Sequence, residues 1–299
     1  MQTWVLALTE EHDRAGVEYW NGVWRDDSLP GPIDASLSGR HNRVNRAMHE
    51  FFSQQFSQLP DPTTSLLEIG SARSQWLPYF AREFGFAVTG LDYSPAGCDQ
   101  AREILRRANI PGTVVEADLF HPPPALQNAF DVVVSFGVVE HFDDTSACIR
   151  AISRFLKPGG LMITEIPNLA GLGGRLQRVF CPEIHSVHVI MTAQDLEHAH
   201  LDAGLHVDSC DYIINGGFSN VNVSCRRDRP GFPLISRLPM VLTAPFIAMD
   251  VARFSTPPNR LTSPYIVCVA RASGTGEAGD TDRRVATRET MTRKTNDAA

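Results

Sequence analysis

The stretch Leu66–Ser74, LLEIGSARS, holds an apolar run, a glycine and then small residues, and Leu91–Ser94, LDYS, places an acid 22 positions after Gly70. Together they read as a buried strand, a tight glycine turn, the start of a helix, and a second strand ending in a carboxylate. Such a frame holds a nucleoside. Backbone N–H groups of the turn meet one end of it, and the carboxylate takes the ribose hydroxyls at the other. A dinucleotide fingerprint wants glycine at its second and third positions, so that a pyrophosphate can approach the backbone and helix can pack on strand. Here those positions are Ala72 and Ser74. A Cβ at Ala72 crowds a pyrophosphate, whereas a cofactor without phosphates needs no such clearance. The turn leans away from NAD and toward S-adenosylmethionine.

Outward from this turn, strand and helix patterns alternate, which implies a mostly parallel sheet with helices on both faces. Strands are expected at Ser65–Ile69, Ala87–Leu91, Thr113–Glu116, Phe130–Phe136, Leu161–Ile166, Leu205–Ile214 and Tyr265–Ala270. Helices are expected at Ser74–Phe84, Ala96–Ala108, Thr145–Leu156 and Ala193–Ala203. The last has Thr192 and Asp195 in capping-box spacing and Gly204 as its stop. Before the first strand, Leu37–Phe56 contains a helix whose Val44, Met48, Phe51, Phe52 and Phe56 share a face, closed off by Pro60 and Pro62. Phe232–Arg253 is apolar but interrupted by Pro233, Arg237, Pro239 and Pro245. Those breaks argue against a stable membrane span. The segment reads as a helical insertion over the active site, with weak interfacial membrane contact as the second reading. The expected organisation is a helical leader or lid (1–62), a cofactor-binding domain (63–272) with an insertion at about 215–262 covering the acceptor site, and a disordered tail (273–299).

The 299 residues carry a formal charge of −7 with 43% hydrophobic and 20% charged content, ordinary for a globular chain with a full core. No basic run is present, so nucleic acid is not an expected partner. Six scattered cysteines without any CxxC read as buried free thiols, which fits a reducing cytoplasm. The N-terminus lacks the marks of a secretory signal.

Taken in order, LLEIGSARS, LDYS, VVEADLF, FDVVVSFGVVEHF, LKPGGLMITEIPN and SPYIVCVAR resemble the class I (Rossmann-like) S-adenosylmethionine-dependent methyltransferases over roughly residues 63–271. The resemblance implies an α/β fold: a seven-stranded, mostly parallel sheet with its last strand antiparallel. Glu68 can attract the cofactor's ammonium. Gly70, Ser71 and Ala72 let backbone atoms face its methionine portion, and helix N–H groups after Ser74 can take its carboxylate. Asp92 accepts both ribose hydroxyls, and Tyr93 packs beside the adenine. Asp118 accepts from the adenine amino group beside Leu119, its alternative being a turn aspartate bonded to its own backbone. Ser135, Phe136 and Gly137 lie at the carboxyl end of the fourth strand, where ligands of open α/β sheets bind, and their backbone is expected to line the cofactor.

His141 follows that strand near the transferred methyl. It is the candidate general base, against a structural histidine that orients the loop. Tyr19, Trp20, Trp24 and His41 are candidates for an aromatic lid over the acceptor, or leader residues that only pack on the domain. His188 is a candidate substrate contact. The His185/His188 pair lacks the third ligand that a metal needs, so no metal is expected. The resulting expectation is a cytoplasmic monomer or homodimer that methylates a small molecule, on a hydroxyl before an amine. Its rivals are an NAD(P)-dependent oxidoreductase on the same type of sheet, a non-catalytic cofactor-binding protein, and an interfacial lipid methyltransferase.

Overall fold

Burial on both faces is what the apolar strand runs demand, and the sheet provides it. The computed structural model describes residues 13–24, 28–39, 42–57, 59, 63–252, 254 and 256–274. Two leader helices, α1 (Gly16–Val23) and α2 (Arg43–Phe56), precede β1 (Ser65–Ile69). Then come α3 (Trp76–Phe84), β2 (Ala87–Asp92), α4 (Pro95–Ala108), β3 (Gly112–Glu116), β4 (Phe130–Phe136), α5 (Thr145–Ser153) and β5 (Leu156–Pro167). The chain continues through α6 (Leu172–Phe180), α7 (Pro182–Ser186), α8 (Ala193–Asp202), β6 (His206–Ile213), α9 (Phe232–Ile235), α10 (Leu238–Val251) and β7 (Tyr265–Arg271). The strands form one seven-stranded sheet in the order β3-β2-β1-β4-β5-β7-β6, with β7 antiparallel to both neighbours and every other pair parallel. This is the sheet the sequence predicts.

Successive residues of β4 alternate between two cores. Val132 and Val134 pack with Phe52 and Phe80, while Val133 packs with Ile149 and Phe155. The strand order reverses between β1, which pairs with β2 on one side, and β4 on its other side. Such a reversal opens a crevice at the carboxyl ends of the strands.

The element boundaries shift for local reasons. α3 starts at Trp76 instead of Ser74, because the Ser74 hydroxyl accepts from the N–H groups of Trp76 and Leu77, each at 3.0 Å. Pro78 falls in the first turn of α3, where its missing N–H breaks no bond. α5 stops at Ser153, and β5 begins early, at Leu156, which pairs with Phe130 before a register irregularity. The capping box of α8 forms as expected, with Thr192 and Asp195 in reciprocal bonds.

The leader helix α2 is part of the core. Its Met48, Phe52 and Phe56 are buried against Leu77, Tyr79 and Phe80. His41, Pro60, Pro62 and residues 275–299, including nearly all of the expected tail, lie outside the described residues. Two expectations need correction. Cys181 and Cys225 are joined as a disulfide, Cα–Cα 5.9 Å, because the end of α6 meets the segment after β6. The remaining four cysteines are free. Disulfides persist in oxidising surroundings, so the cysteine pattern no longer supports a reducing compartment. The insertion, for its part, packs elsewhere than over the crevice. Phe218, Val221 and Val223 form a separate cluster with Leu176 and Phe180 of α6 and with Leu242 and Phe246 of α10. Arg43 of α2 holds it from the other side through Asp250 and the Gly216 carbonyl, both at 2.6 Å.

Candidate active site

At the carboxyl ends of β1, β2 and β4 lies a cavity of about 720 Å³, within the range of small-molecule sites. The turn after β1 forms its floor. Gly70 has φ +72°, and a Cβ there would stand 2.5 Å from Val138 Cγ2, so glycine is required on both counts. The N–H groups of Gly70 and Ser71 donate to the Leu91 carbonyl (2.9 and 3.2 Å), which fixes the turn to the end of β2. Ala72, at the position where a dinucleotide site carries glycine, is accommodated by a glycine elsewhere. Its Cβ would lie only 2.5 Å from a Cβ at Gly97 of α4.

Asp92 ends β2 and lines the cavity, with Oδ2 accepting from the Ala72 N–H (2.9 Å) and Oδ1 from the Ser94 N–H (2.8 Å). Both oxygens are thus aimed, and each keeps a lone pair for a ligand hydroxyl. Burial pushes this carboxyl above its ordinary range, with backbone N–H bonds from Ser94, Ala72 and Tyr93 opposing the shift. Glu68 is buried at the end of β1, accepts from the Ser74 hydroxyl at 2.6 Å, and is pushed up to about 8, mainly by burial. Asp118 lines the cavity too, but its Oδ1 accepts from the Phe120 N–H (2.9 Å) and its Oδ2 meets His121 Nδ1 (2.8 Å). The turn geometry weighed as its alternative is present.

Gly70, Ala72, Ser74, Tyr93, Leu119, Phe136, Gly137, Trp20, Trp24 and His141 also line the cavity. Four expected site residues do not. The Ser71 hydroxyl is packed against Gly90 beneath the turn. Ser135 is 1% exposed, in mid-sheet between β1 and β5. Tyr19 stands edge-on behind Trp20, at 5.1 Å. His188 lies behind His141, with ring centroids 4.5 Å apart. The 167–190 and 215–262 segments contribute nothing to the lining among the described residues.

The leader supplies that wall instead. Asp13 bridges to Phe142 and accepts from the Tyr93 hydroxyl at 2.7 Å. Arg14 donates from its backbone N–H to the His141 carbonyl (2.9 Å) and pairs with Asp143 (2.6 Å). Gln100 donates to the Trp24 carbonyl at 2.7 Å. Trp20 and Trp24 stack at 5.6 Å, and Trp20 meets His141 edge-on at 5.0 Å.

His141 Nδ1 lies 2.8 Å from the Val187 carbonyl. A carbonyl only accepts, so Nδ1 carries the proton and Nε2 keeps a lone pair. Burial lowers the pKa of this histidine, so the ring is neutral near pH 7. His188, held by the Ile184 carbonyl at 2.7 Å, is lowered to about 4 by burial and then by His141. A ring nitrogen from each histidine and a carboxylate oxygen of buried Glu140 lie within 4.8 Å of one another. That set could hold a metal ion, whereas the expected absence of one was argued from the His185/His188 pair. The third donor comes from the turn after β4, which no spacing within HxxH reveals.

Residues 39–209, more than half of the chain, match the family described as methyltransferase domain. The chain belongs to that family. A ubiquinone biosynthesis O-methyltransferase of Paramagnetospirillum magneticum is 32% identical over 133 residues, covering 44% of this chain and 50% of that protein. The protein of the same description from Methylobacterium nodulans is 31% identical over 170 residues, 52% of this chain and 66% of that one. The chain therefore spans about half to two-thirds of these relatives' lengths. Among solved structures, geranyl diphosphate C-methyltransferase from Streptomyces coelicolor superposes with a TM-score of 0.53 at 18% identity, over 85% of this chain and 96% of that one. The cyclase SpnF superposes at 0.54 and 16% identity, over 81% and 85%. These likenesses concern the fold. That a cyclase shares it shows that the fold leaves the reaction open.

Several lining residues escaped the sequence reading: Asp13 and Val17 of the leader, and Arg73, Trp76, Val138, Phe120 and Phe142 of the methyltransferase domain. Trp76 had a signal, since it opens the helix straight after the glycine turn. Asp13 had none, because only the folded leader brings it to Tyr93.

Proposed function

We propose that this chain transfers a methyl group from S-adenosylmethionine to a small, partly apolar acceptor, on a hydroxyl in preference to an amine. One observation carries the reading: Asp92, both oxygens aimed by backbone N–H groups, lines one cavity with the Gly70 turn and with the aromatic rings of Trp20, Trp24, Trp76 and Phe136. The carboxylate suits a ribose diol, the turn suits a phosphate-free nucleoside, and the aromatic wall suits an apolar acceptor. The quinone-pathway O-methyltransferases among the relatives support the hydroxyl.

On this reading the sulfonium brings an already activated methyl group. The chain's contribution is to align nucleophile, carbon and sulfur in a dry pocket, which can supply several kcal/mol. His141, with its Nε2 lone pair beside the cavity, is placed to receive the hydroxyl proton. Calorimetric titration with S-adenosylmethionine and with NAD tests the cofactor, and NAD binding alone overturns the proposal. Incubation of metabolite pools with isotopically labelled donor, followed by mass analysis, identifies the acceptor. His141→Ala should lower turnover about 100-fold with cofactor affinity unchanged. Near-normal turnover assigns His141 to holding the loop.

A further inference from the structure

The run Phe232–Val251 is, by length and composition, apolar enough to cross a membrane, and none of it is buried in the structure. The expected interruption falls at Ser236–Arg237, between α9 and α10, whereas Pro245 does not end the helix: α10 runs through it. One side of α10 is docked. Phe246 lies against Gly216, Thr243 Oγ1 accepts from the Phe218 N–H at 3.0 Å, and Asp250 pairs with Arg43. The other side is as apolar and has no protein partner among the described residues. On α10 Met240 is 47% exposed, Val241 59% and Val251 81%, and the flanking Leu234 of α9 and Phe254 are 78% and 74% exposed.

Three observations say what covers this face. First, the chain on either side of it is rich in arginine. Between 226 and 260 the sequence has six arginines and two aspartates, in a chain whose net charge is −7. Arg227, Arg229, Arg237 and Arg260 are exposed, while Asp250 is already paired with Arg43. Such a basic, apolar segment complements anionic headgroups. Second, the docked side rules out a spanning helix, since Asp250–Arg43 and Thr243–Phe218 tie α10 to the domain. Pro245 also leaves the exposed Val241 carbonyl without its helical donor, which is costly in hydrocarbon and harmless in the interface. Third, a two-fold pairing with a second copy would place the same arginines against one another.

We propose that the α9–α10 segment lies in the plane of an anionic phospholipid surface, its outer apolar face at the acyl boundary and its arginines on the headgroup phosphates. This surface binding does not depend on the reaction proposed for the cavity.

The test is co-sedimentation of the full chain with vesicles of phosphatidylcholine alone and of phosphatidylcholine with phosphatidylglycerol. The expected result is binding to the anionic vesicles, weakened by salt and about tenfold weaker on neutral ones. Val241→Glu with Val251→Glu should abolish it, and Arg227→Gln with Arg229→Gln should weaken it about tenfold, with thermal melts matching wild type. If the glutamate variant does not fold, Leu234→Ser with Phe254→Ser takes its place. Absence of vesicle binding, or binding that none of these variants weakens, overturns the proposal. So does a concentration-dependent dimer that the glutamate variant dissociates, which assigns the face to a second copy.

Discussion

Glu68 combines a pKa near 8 with a position on the cavity wall, and that pairing sets a pH dependence. Below pH 8 the empty site holds this carboxyl neutral. An arriving cation favours the ionised form, so binding must expel the proton. Affinity for S-adenosylmethionine should therefore rise from pH 6 toward pH 7.5, by up to about tenfold per unit, and level off above 8. Titration calorimetry in buffers of differing ionisation enthalpy measures both the slope and the proton released, and Glu68→Gln should flatten the profile. Asp92→Ala should cost roughly 2–4 kcal/mol of cofactor affinity, since two charge-assisted hydrogen bonds disappear; unchanged affinity would refute the ribose assignment. Gly70, Glu68 and Asp92 were legible in the sequence because each belongs to a strand end or a turn with a recognisable pattern. Ser71 and Ser135 were expected to offer backbone atoms, and where their side chains go was not legible, because the direction of a side chain depends on what lies beneath it. Gly90, a neighbour only after β1 and β2 pair, decides it for Ser71.

Among the elements, the strands and helices were readable to within a few residues, since two-residue and 3.6-residue periodicities survive in a sheet buried on both sides. Where the insertion packs was not readable. An apolar helix says that it wants company, not which company. Contacts between elements give two checks. A Cβ at 97 would collide with Ala72, so Gly97→Ala should displace the turn and weaken cofactor binding about tenfold. Adding Ala72→Gly should restore most of it, and a double-mutant cycle measured by calorimetry reads the coupling directly. The Cys181–Cys225 bond closes a 44-residue separation between α6 and the insertion. Cys181→Ser with Cys225→Ser should cost about 2–4 kcal/mol, seen as an earlier transition in thermal melts that dithiothreitol reproduces in the parent. Identical melts with and without reductant would show that this bond contributes no stability.

At the scale of the whole molecule, the sheet supplies the floor of the cavity, and the leader supplies a wall that is held by the residues after β2 and by α4. Asp13, Arg14 and Trp24 are bonded to Tyr93, Asp143 and Gln100, each from a different loop or helix of the domain. A wall made from a separate stretch of chain can swing away, whereas the turn after β1 cannot. Release of the spent donor is expected to require these hydrogen bonds to break together, so product escape, not chemistry, should govern the steady state. Rapid-quench kinetics should show one fast turnover followed by a slower phase. Asp13→Ala should accelerate the slow phase and shrink the gap between the two. The order of events follows as well: the nucleoside must be seated before the leader latches, so the enzyme should show compulsory-order kinetics with the donor first on and its demethylated form last off.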